Sequence, residues 1–288
     1  MCGIFGVALL PGKNIKDTIL RNIIRKLALA SQVRGGDATG LAFTSNEGIS
    51  VFKKNVRASK FVTLDNYISA VHDGLSQSGK RKVFSVIGHT RYETCGTHIN
   101  NDNNHPIIAR SIVGVHNGMI TNHMSIFSKL EAAENDTITR IGQVDSEAIF
   151  ALVDHKSKCH KYPGKMQSTN LIGNIANPTT LGILEASEQL AGSYACALVD
   201  ADNPKILWLF RRGNPIKVKH YRDEGILIFA SDARYINSAV EQYNLAAPDE
   251  YIIQDGDGLC INLSESKFSC FSLRALAAAS TRSFKCYH

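Results

Sequence analysis

Residues 1–10 read MCGIFGVALL. From Gly3 to Leu10 nearly every position is apolar, and the turn-forming PGKN closes the run at 11–14, so a short buried strand is expected. Cys2, just ahead of it, becomes the first residue once the initiator Met1 is clipped, and a small side chain at that place suits the clipping. Such a residue carries a thiol and a free α-amine side by side. A free thiol titrates near ~8.5 and an α-amine near ~7.7–8.0, so the amine can take the thiol's proton close to neutrality. The plainer alternative, at this point, is an ordinary buried cysteine.

Working outward, Asn14 and Asp17 suit a helix start, and Ile15, Ile19, Leu20, Ile23, Ile24 and Leu27 recur on one helical face. RGGDATG breaks that helix at about residue 34. LAFTS and ISVFKK read as strands paired around NEG, residues 58–77 as helical, and VFSVIGHT as a strand. The polar stretch 94–106 reads as a loop. SIVGVHN is a strand ending in a turn at Asn117-Gly118. Helices are expected over about 123–134 and in VDSEAIFALVDH, with Asp145 at the start of the second. Residues 156–178 read as a polar insertion. The last third is strand-rich, in SYACALVD, KILWLFRR, GILIFAS, YIIQDGDGLCINL and KFSCFSL, with a short helix near 232–241. No repeat or linker divides the chain, so one domain over 1–288 is expected, layered α+β rather than alternating α/β.

Composition is that of a globular protein: 44% hydrophobic and 20% charged over 288 residues, enough to bury a core without staples. The net charge of +6 is spread out, with no basic block longer than Lys80-Arg81-Lys82, so it reads as a solvated surface and direct nucleic-acid binding is not expected. Seven cysteines, an odd number with no Cys-x-x-Cys, and no secretory segment at the start, fit a reducing cytoplasm better than a disulfide framework. No run approaches the ~18–20 apolar residues of a membrane span. The pairs His98/His105 and His155/His160 lack partners at zinc-site intervals, so neither a metal nor a cofactor is expected.

Three further stretches suggest chemistry. Asn117-Gly118 is able to aim a side-chain amide and a backbone N–H at one point, as an oxyanion hole does; a plain hairpin turn is the alternative. Arg91, just after a strand, has the planar fork that binds a carboxylate bidentately, or makes a surface ion pair. Asp145 either caps its helix or holds an ammonium. An arginine for a carboxylate and an aspartate for an ammonium together describe a clamp for an α-amino acid. With a thiolate and an oxyanion hole added, the reaction is attack on a side-chain amide, for which glutamine is the natural substrate.

MCGIFGV, RGGDATG, GHTRYETCG, NNHPI, VHNGMITNH and VDSEAI, in that order, resemble the class II glutamine amidotransferase domain, whose nucleophile is an N-terminal cysteine. GSYACALVD, RRGNPI and FASDARYI resemble its second half, so the likeness runs from residue 2 to about 263. It implies the four-layer αββα sandwich of N-terminal-nucleophile (Ntn) hydrolases. Residue by residue, it implies Cys2 as nucleophile with its amine as base, Asn117 and Gly118 as the oxyanion hole, Arg91 for the glutamine carboxylate and Asp145 for its amino group. Tyr92, Thr94 and Gly96 would line the pocket, and Arg34, Asp37 and His105 would support it. The chain departs from the family where Trp-Ala-Thr-His-Gly becomes Tyr-Glu-Thr-Cys-Gly, so that Glu93 adds a charge and Cys95 replaces a histidine.

Family members carry a synthase domain after the glutaminase domain. Gly-x-Gly-x-x-Gly does not occur, and the Gly-x-x-x-x-Gly-Lys at Gly74–Lys80 is followed by Arg81 where a phosphate loop needs Ser or Thr, so the expected partner of this glutaminase is an ammonia-accepting synthetase on a separate polypeptide. Two rivals stay open: an Ntn amidase for another amide, and an inactive scaffold or regulatory domain.

Overall fold

The computed structural model describes residues 2–12, 15–75, 83–133, 140–161 and 177–274. Met1, Asn14, the Lys80–Lys82 run, most of the expected insertion and the chain beyond 274 lie outside these residues. The strands are β1 (Gly3–Leu9), β2 (Ala38–Ser45), β3 (Gly48–Lys54), β4 (Val83–Arg91), β5 (Ile107–Ala109), β6 (Ile112–Ile120), β7 (Gly192–Asp200), β8 (Asn203–Arg212), β9 (Lys217–Tyr221), β10 (Ile226–Ala230), β11 (Asp249–Tyr251), β12 (Asp257–Asn262) and β13 (Lys267–Ser272). The helices are α1 (Asp17–Ser31), α2 (Ala58–Phe61), α3 (Asp65–Leu75), α4 (His123–Ala133), α5 (Ser146–Lys161), α6 (Pro178–Gln189) and α7 (Ala233–Val240).

Two antiparallel sheets form the centre, one ordered β11-β9-β10-β1-β4-β2-β3 and the other β13-β12-β8-β7-β6-β5. Alternation along β1 shows how they stack. Ile4 and Ala8 face the second sheet, packing with Val113, Val115, Ala195 and Leu209. Phe5 and Val7 face outward, against Leu20, Ile23, Ile24 and Leu27 of α1. The second sheet is covered in turn by α4, α5 and α6, through Ile126, Ile149, Phe150 and Ile183. The order of layers is therefore helix, sheet, sheet, helix: the αββα sandwich expected from the resemblance. It also explains why β1 reads as continuously apolar although it is antiparallel, because neither face meets water.

Most expected elements appear, with instructive differences. The 58–77 helix is two pieces, α2 and α3. α1 starts at Asp17, and its cap residue Lys16 makes no side-chain cap bond. The insertion expected over 156–178 is helical at its start, since α5 continues to Lys161. α6 was not anticipated, yet its signal is in the sequence: the Asn177 side chain accepts from Thr179 and Thr180 N–H, and Pro178 sits in the first turn. β9 was also missed, its three basic residues obscuring a strand. YIIQDGDGLCINL splits into β11 and β12 around Gly256, whose φ is +85°.

Gly6 sits where β1 meets the second sheet. A Cβ there would lie 2.2 Å from Phe229 Cζ and 2.4 Å from the Val86 carbonyl oxygen. Because the second contact is backbone, it cannot be relieved by a rotamer change. Gly6→Ala is expected to destabilise the protein by about 1–3 kcal/mol in urea unfolding, with the slope of the transition unchanged.

Candidate active site

Register places the thiol. β1 pairs with β4 so that Gly3 lies opposite Thr90, which brings Cys2 beside Arg91 and Tyr92. Tyr92 N–H donates to Cys2 Sγ at 3.3 Å, and Sγ lies 3.4 Å from the Tyr92 carbonyl oxygen. Arg34 Nε donates to the Cys2 carbonyl at 2.7 Å. Gly3 permits this approach: a Cβ would stand 2.6 Å from Thr90 Oγ1 and 2.9 Å from the Ser31 carbonyl. Burial pushes the thiol above its ordinary pKa, opposed by the Tyr92 hydrogen bond and by Arg91, while Asp145 adds to the rise. The Cys2 thiol thus lies within electrostatic reach of both expected clamp residues. Cys2 and Cys95 are both free thiols.

Arg91 is only 3% exposed. It donates from Nη1 to Asn104 Oδ1 at 2.8 Å, from Nη2 to the Cys95 carbonyl at 2.8 Å, and from Nη2 to the Gly96 carbonyl. The guanidinium therefore organises the pocket loop instead of pairing with a surface carboxylate. Burial lowers its pKa, and Cys2, Glu93 and Asp37 oppose that. Asp37 grips the same loop, its backbone N–H reaching the Arg91 carbonyl at 3.0 Å and its Oδ2 accepting from Glu93 N–H at 2.7 Å. Glu93, the departure from the family pattern, accepts from the His98 backbone N–H at 2.6 Å and pairs with the His98 ring, which holds its carboxyl below the usual range. Tyr92 is 54% exposed and Thr94 is also at the surface, at the rim of the site. Gly96 has φ +72° and backs onto Asn103.

The second sheet supplies the other half. Asn117 and Gly118 lie within β6, paired to Ala195 and Tyr194, and not in the turn expected at that point; the strand continues to Ile120. Gly118 is required there, with φ +144° and only 1.9 Å between a Cβ and the Ser193 carbonyl. The buried Asn117 side chain donates from Nδ2 to Ser231 Oγ at 2.8 Å, and Ser231 Oγ accepts from Ile4 N–H at 2.9 Å. One hydroxyl therefore joins the candidate oxyanion residue to the strand of the nucleophile. Asp145 Oδ2 accepts from Ile120 N–H at 2.7 Å, while its carbonyl accepts from Ala148 N–H at 3.1 Å to start α5. Its carboxylate serves β6 rather than capping α5.

His105 is buried, its ring tilted against that of His89 with centroids 4.1 Å apart. His89 donates from Nε2 to the His116 carbonyl at 3.0 Å, and burial lowers its pKa to about 3, so it is neutral. His116 Nδ1 meets Ser146 Oγ at 2.8 Å. Lys53 Nζ donates to the carbonyls of Asn104 (2.7 Å) and Pro106 (3.2 Å), and burial lowers its pKa to about 8. Glu147 accepts from Ile141 and Gly142 N–H at 2.7 and 2.8 Å. None of Lys53, His89, Asn104, His116, Glu147 or Ser231 had been assigned a role from sequence. The motif letters of GHTR, VHNG and FASD contain three of them, but only contacts between distant strands reveal their partners. Among the described residues, no group of three or more His, Cys, Asp or Glu side chains is placed to hold a metal, and no helix is long and apolar enough to cross a membrane.

No family model matches the chain. Glutamine–fructose-6-phosphate aminotransferase (isomerizing) of Staphylococcus aureus is 27% identical over 268 residues, covering 90% of this chain and 38% of that protein. The Bacillus cereus enzyme of the same name is 26% identical over 262 residues, covering 91% and 37%. The chain thus spans about two fifths of the length of these curated relatives. Among solved structures, glutamine phosphoribosylpyrophosphate amidotransferase of B. subtilis superposes with TM-score 0.61 at 19% identity, over 94% of this chain and 49% of that one. A glutamine aminotransferase class-II domain protein from Silicibacter pomeroyi superposes with TM-score 0.51 at 13% identity, over 93% and 98%. The chain is thus similar in sequence to glutamine-dependent aminotransferases over nine tenths of its length, and it shares the Ntn-type αββα sandwich of class II glutamine amidotransferase structures.

Proposed function

We propose that this protein hydrolyses L-glutamine to glutamate and ammonia through a γ-glutamyl thioester on Cys2, after loss of Met1. The observation that carries the reading is the convergence on one thiol: Cys2 Sγ rests on Tyr92 N–H, Arg91 and Asp145 both act on it electrostatically, and Asn117 is tied through Ser231 to Ile4, two residues along the same strand. Arg91 receives the substrate carboxylate and Asp145 its ammonium, fixing the side-chain amide over the sulfur. The α-amine takes the thiol proton as sulfur attacks the δ-carbonyl carbon. Asn117 and Gly118 donate to the oxyanion that forms. On collapse the C–N bond breaks, the amine returns the proton to nitrogen, and ammonia leaves. Water then adds to the thioester, the C–S bond breaks, and glutamate departs with the thiol restored. Tyr92, Thr94 and Gly96 line the pocket, and Arg34, Asp37 and His105 support it.

The same reading makes a separate synthetase, in the cytoplasm, the recipient of the ammonia. Co-purification from the native host tests it: recovery of a synthetase whose glutamine-dependent activity requires this chain supports it, and a chain that purifies alone and leaves no synthetase dependent on it removes it.

Ammonia release from glutamine is expected to vanish in Cys2→Ala. In Asn117→Ala, kcat should fall about 10²–10³-fold with little change in KM, as for loss of one oxyanion donor. In Arg91→Lys, KM for glutamine should rise about tenfold or more, because the ammonium cannot reproduce the fork. Retention of activity by Cys2→Ala, or equal turnover of amides lacking the α-amino-acid group, would overturn the reading.

Because burial raises the Cys2 thiol, the neutral thiol dominates at pH 7 when no base removes its proton. In a variant that retains Met1, iodoacetamide labelling of Cys2 should keep accelerating beyond the ~8.5 of a free thiol. Peptide mass spectrometry across pH 6–10 checks this. A plateau below pH 8 would contradict it.

A further inference from the structure

The Asn117 carboxamide can present either of its ends to the reacting carbonyl, and only the nitrogen end donates to an oxyanion. The two ends have the same shape, so the surrounding hydrogen bonds decide which faces which way. As placed, Nδ2 donates to Ser231 Oγ at 2.8 Å, and Oδ1 is buried without a partner. Ser231 Oγ already accepts from Ile4 N–H at 2.9 Å, and its own proton has only a weak route, to the Ile4 carbonyl at 3.4 Å. Nearby, His89 Nε2 faces the His116 carbonyl at 3.0 Å. A carbonyl only accepts, so Nε2 carries the proton. Nδ1 of a neutral ring is then a bare acceptor, and it too is buried without a partner. His89 is bonded to the residue before Asn117 and lies opposite Ile4, the residue that Ser231 links to Asn117, so its ring stands beside the Asn117 amide. Two unmatched acceptors thus lie near one another in the core, where leaving a bond unmade is costly.

We propose that Ser231 and His89 are positioning residues that turn the Asn117 amide so that its nitrogen, not its oxygen, faces away from Ser231. One rotation by half a turn satisfies every member. Ser231 Oγ–H donates to Asn117 Oδ1 while Oγ still accepts from Ile4 N–H. Asn117 Nδ2 donates one hydrogen to His89 Nδ1, and His89 Nε2–H donates to the His116 carbonyl. The second Nδ2 hydrogen remains for the oxyanion. The chain of bonds runs from the nucleophile strand through Ser231, just past β10, and β6 to β4, so it fixes the amide relative to Cys2. Since burial keeps His89 neutral, with its pKa at about 3, the donor order holds throughout the working pH range. The inference rests on the glutaminase reading for its kinetic consequence, though not for the arrangement of bonds.

The test has two arms on the full chain. In the kinetic arm, Ser231→Ala should lower kcat about tenfold or more with KM for glutamine changed less than about twofold, and Ser231→Thr, which keeps the hydroxyl, should recover most of the loss. Adding Ser231→Ala to Asn117→Ala should cost nothing further, since the serine acts through that amide. Additive losses, or a Ser231→Ala protein with unaltered kcat, would overturn the proposal. In the spectroscopic arm, which needs no activity and no variant, nitrogen NMR of the wild type should show His89 protonated at Nε2 alone from pH 5 to 8, with Nδ1 accepting from the Asn117 amide. A His89 protonated at Nδ1 sinks the proposal even if Ser231→Ala fails to fold. Wild-type protein that releases no ammonia from glutamine would instead refute the glutaminase reading, leaving the NMR result to judge the bond order.

Discussion

The pairing of β1 between β10 and β4 is the constraint on which the rest depends. Its register, Gly3 against Thr90 and Ile4 against His89, brings the thiol to Tyr92 N–H and the guanidinium of Arg91 beside it. A slip of one residue would exchange the two faces of β1, sending Ile4 toward α1 and Phe5 into the space between the sheets. Both faces are filled with apolar side chains of different sizes, so packing enforces the register from both sides. The chemistry at the end of the strand inherits its precision from that burial.

The candidate site is built across two sheets that pack against each other through apolar side chains. Cys2, Arg91 and Tyr92 belong to the first, and Asn117, Gly118 and the Asp145 contact at Ile120 to the second. Apolar packing sets the distance between the sheets but does not orient a carboxamide. That task falls to short bonds at the rim of the core: Ser231 between Ile4 and Asn117, and His89 to the His116 carbonyl. Arg91 plays a matching part in the loop, holding the Asn104 side chain and two carbonyls. A buried cation surrounded by carbonyls and a carboxamide keeps its charge uncompensated at close range, whereas a firm ion pair would have neutralised it.

The substitution of Glu93 and Cys95 into the pocket loop is accommodated locally. Glu93 is occupied by His98 and caps a backbone N–H, and the Cys95 thiol donates to the Gln143 carbonyl at 3.2 Å. What Arg91 uses from Cys95 is the backbone oxygen, which is the same for any residue type. Side-chain identity at that position is therefore weakly constrained by the contacts that hold the arginine.

The sequence by itself determined the strand after Cys2, the helix with its Ile23–Leu27 face, the layered α+β class and the short roster of reactive residue types, because these depend on local periodicity and on chemistry that each residue carries alone. The ordered motifs added the αββα sandwich. It misread the Asn117-Gly118 turn, took YIIQDGDGLCINL as one strand where there are two, and passed over α6, where the deciding contacts come from other strands or from a cap beside a polar stretch. Ser231, His89 and Lys53 became visible only in the tertiary structure. A hydrogen bond between residues 27 to 227 positions apart leaves no periodic trace in the chain, and its meaning lies in which donors and acceptors the fold removes from water.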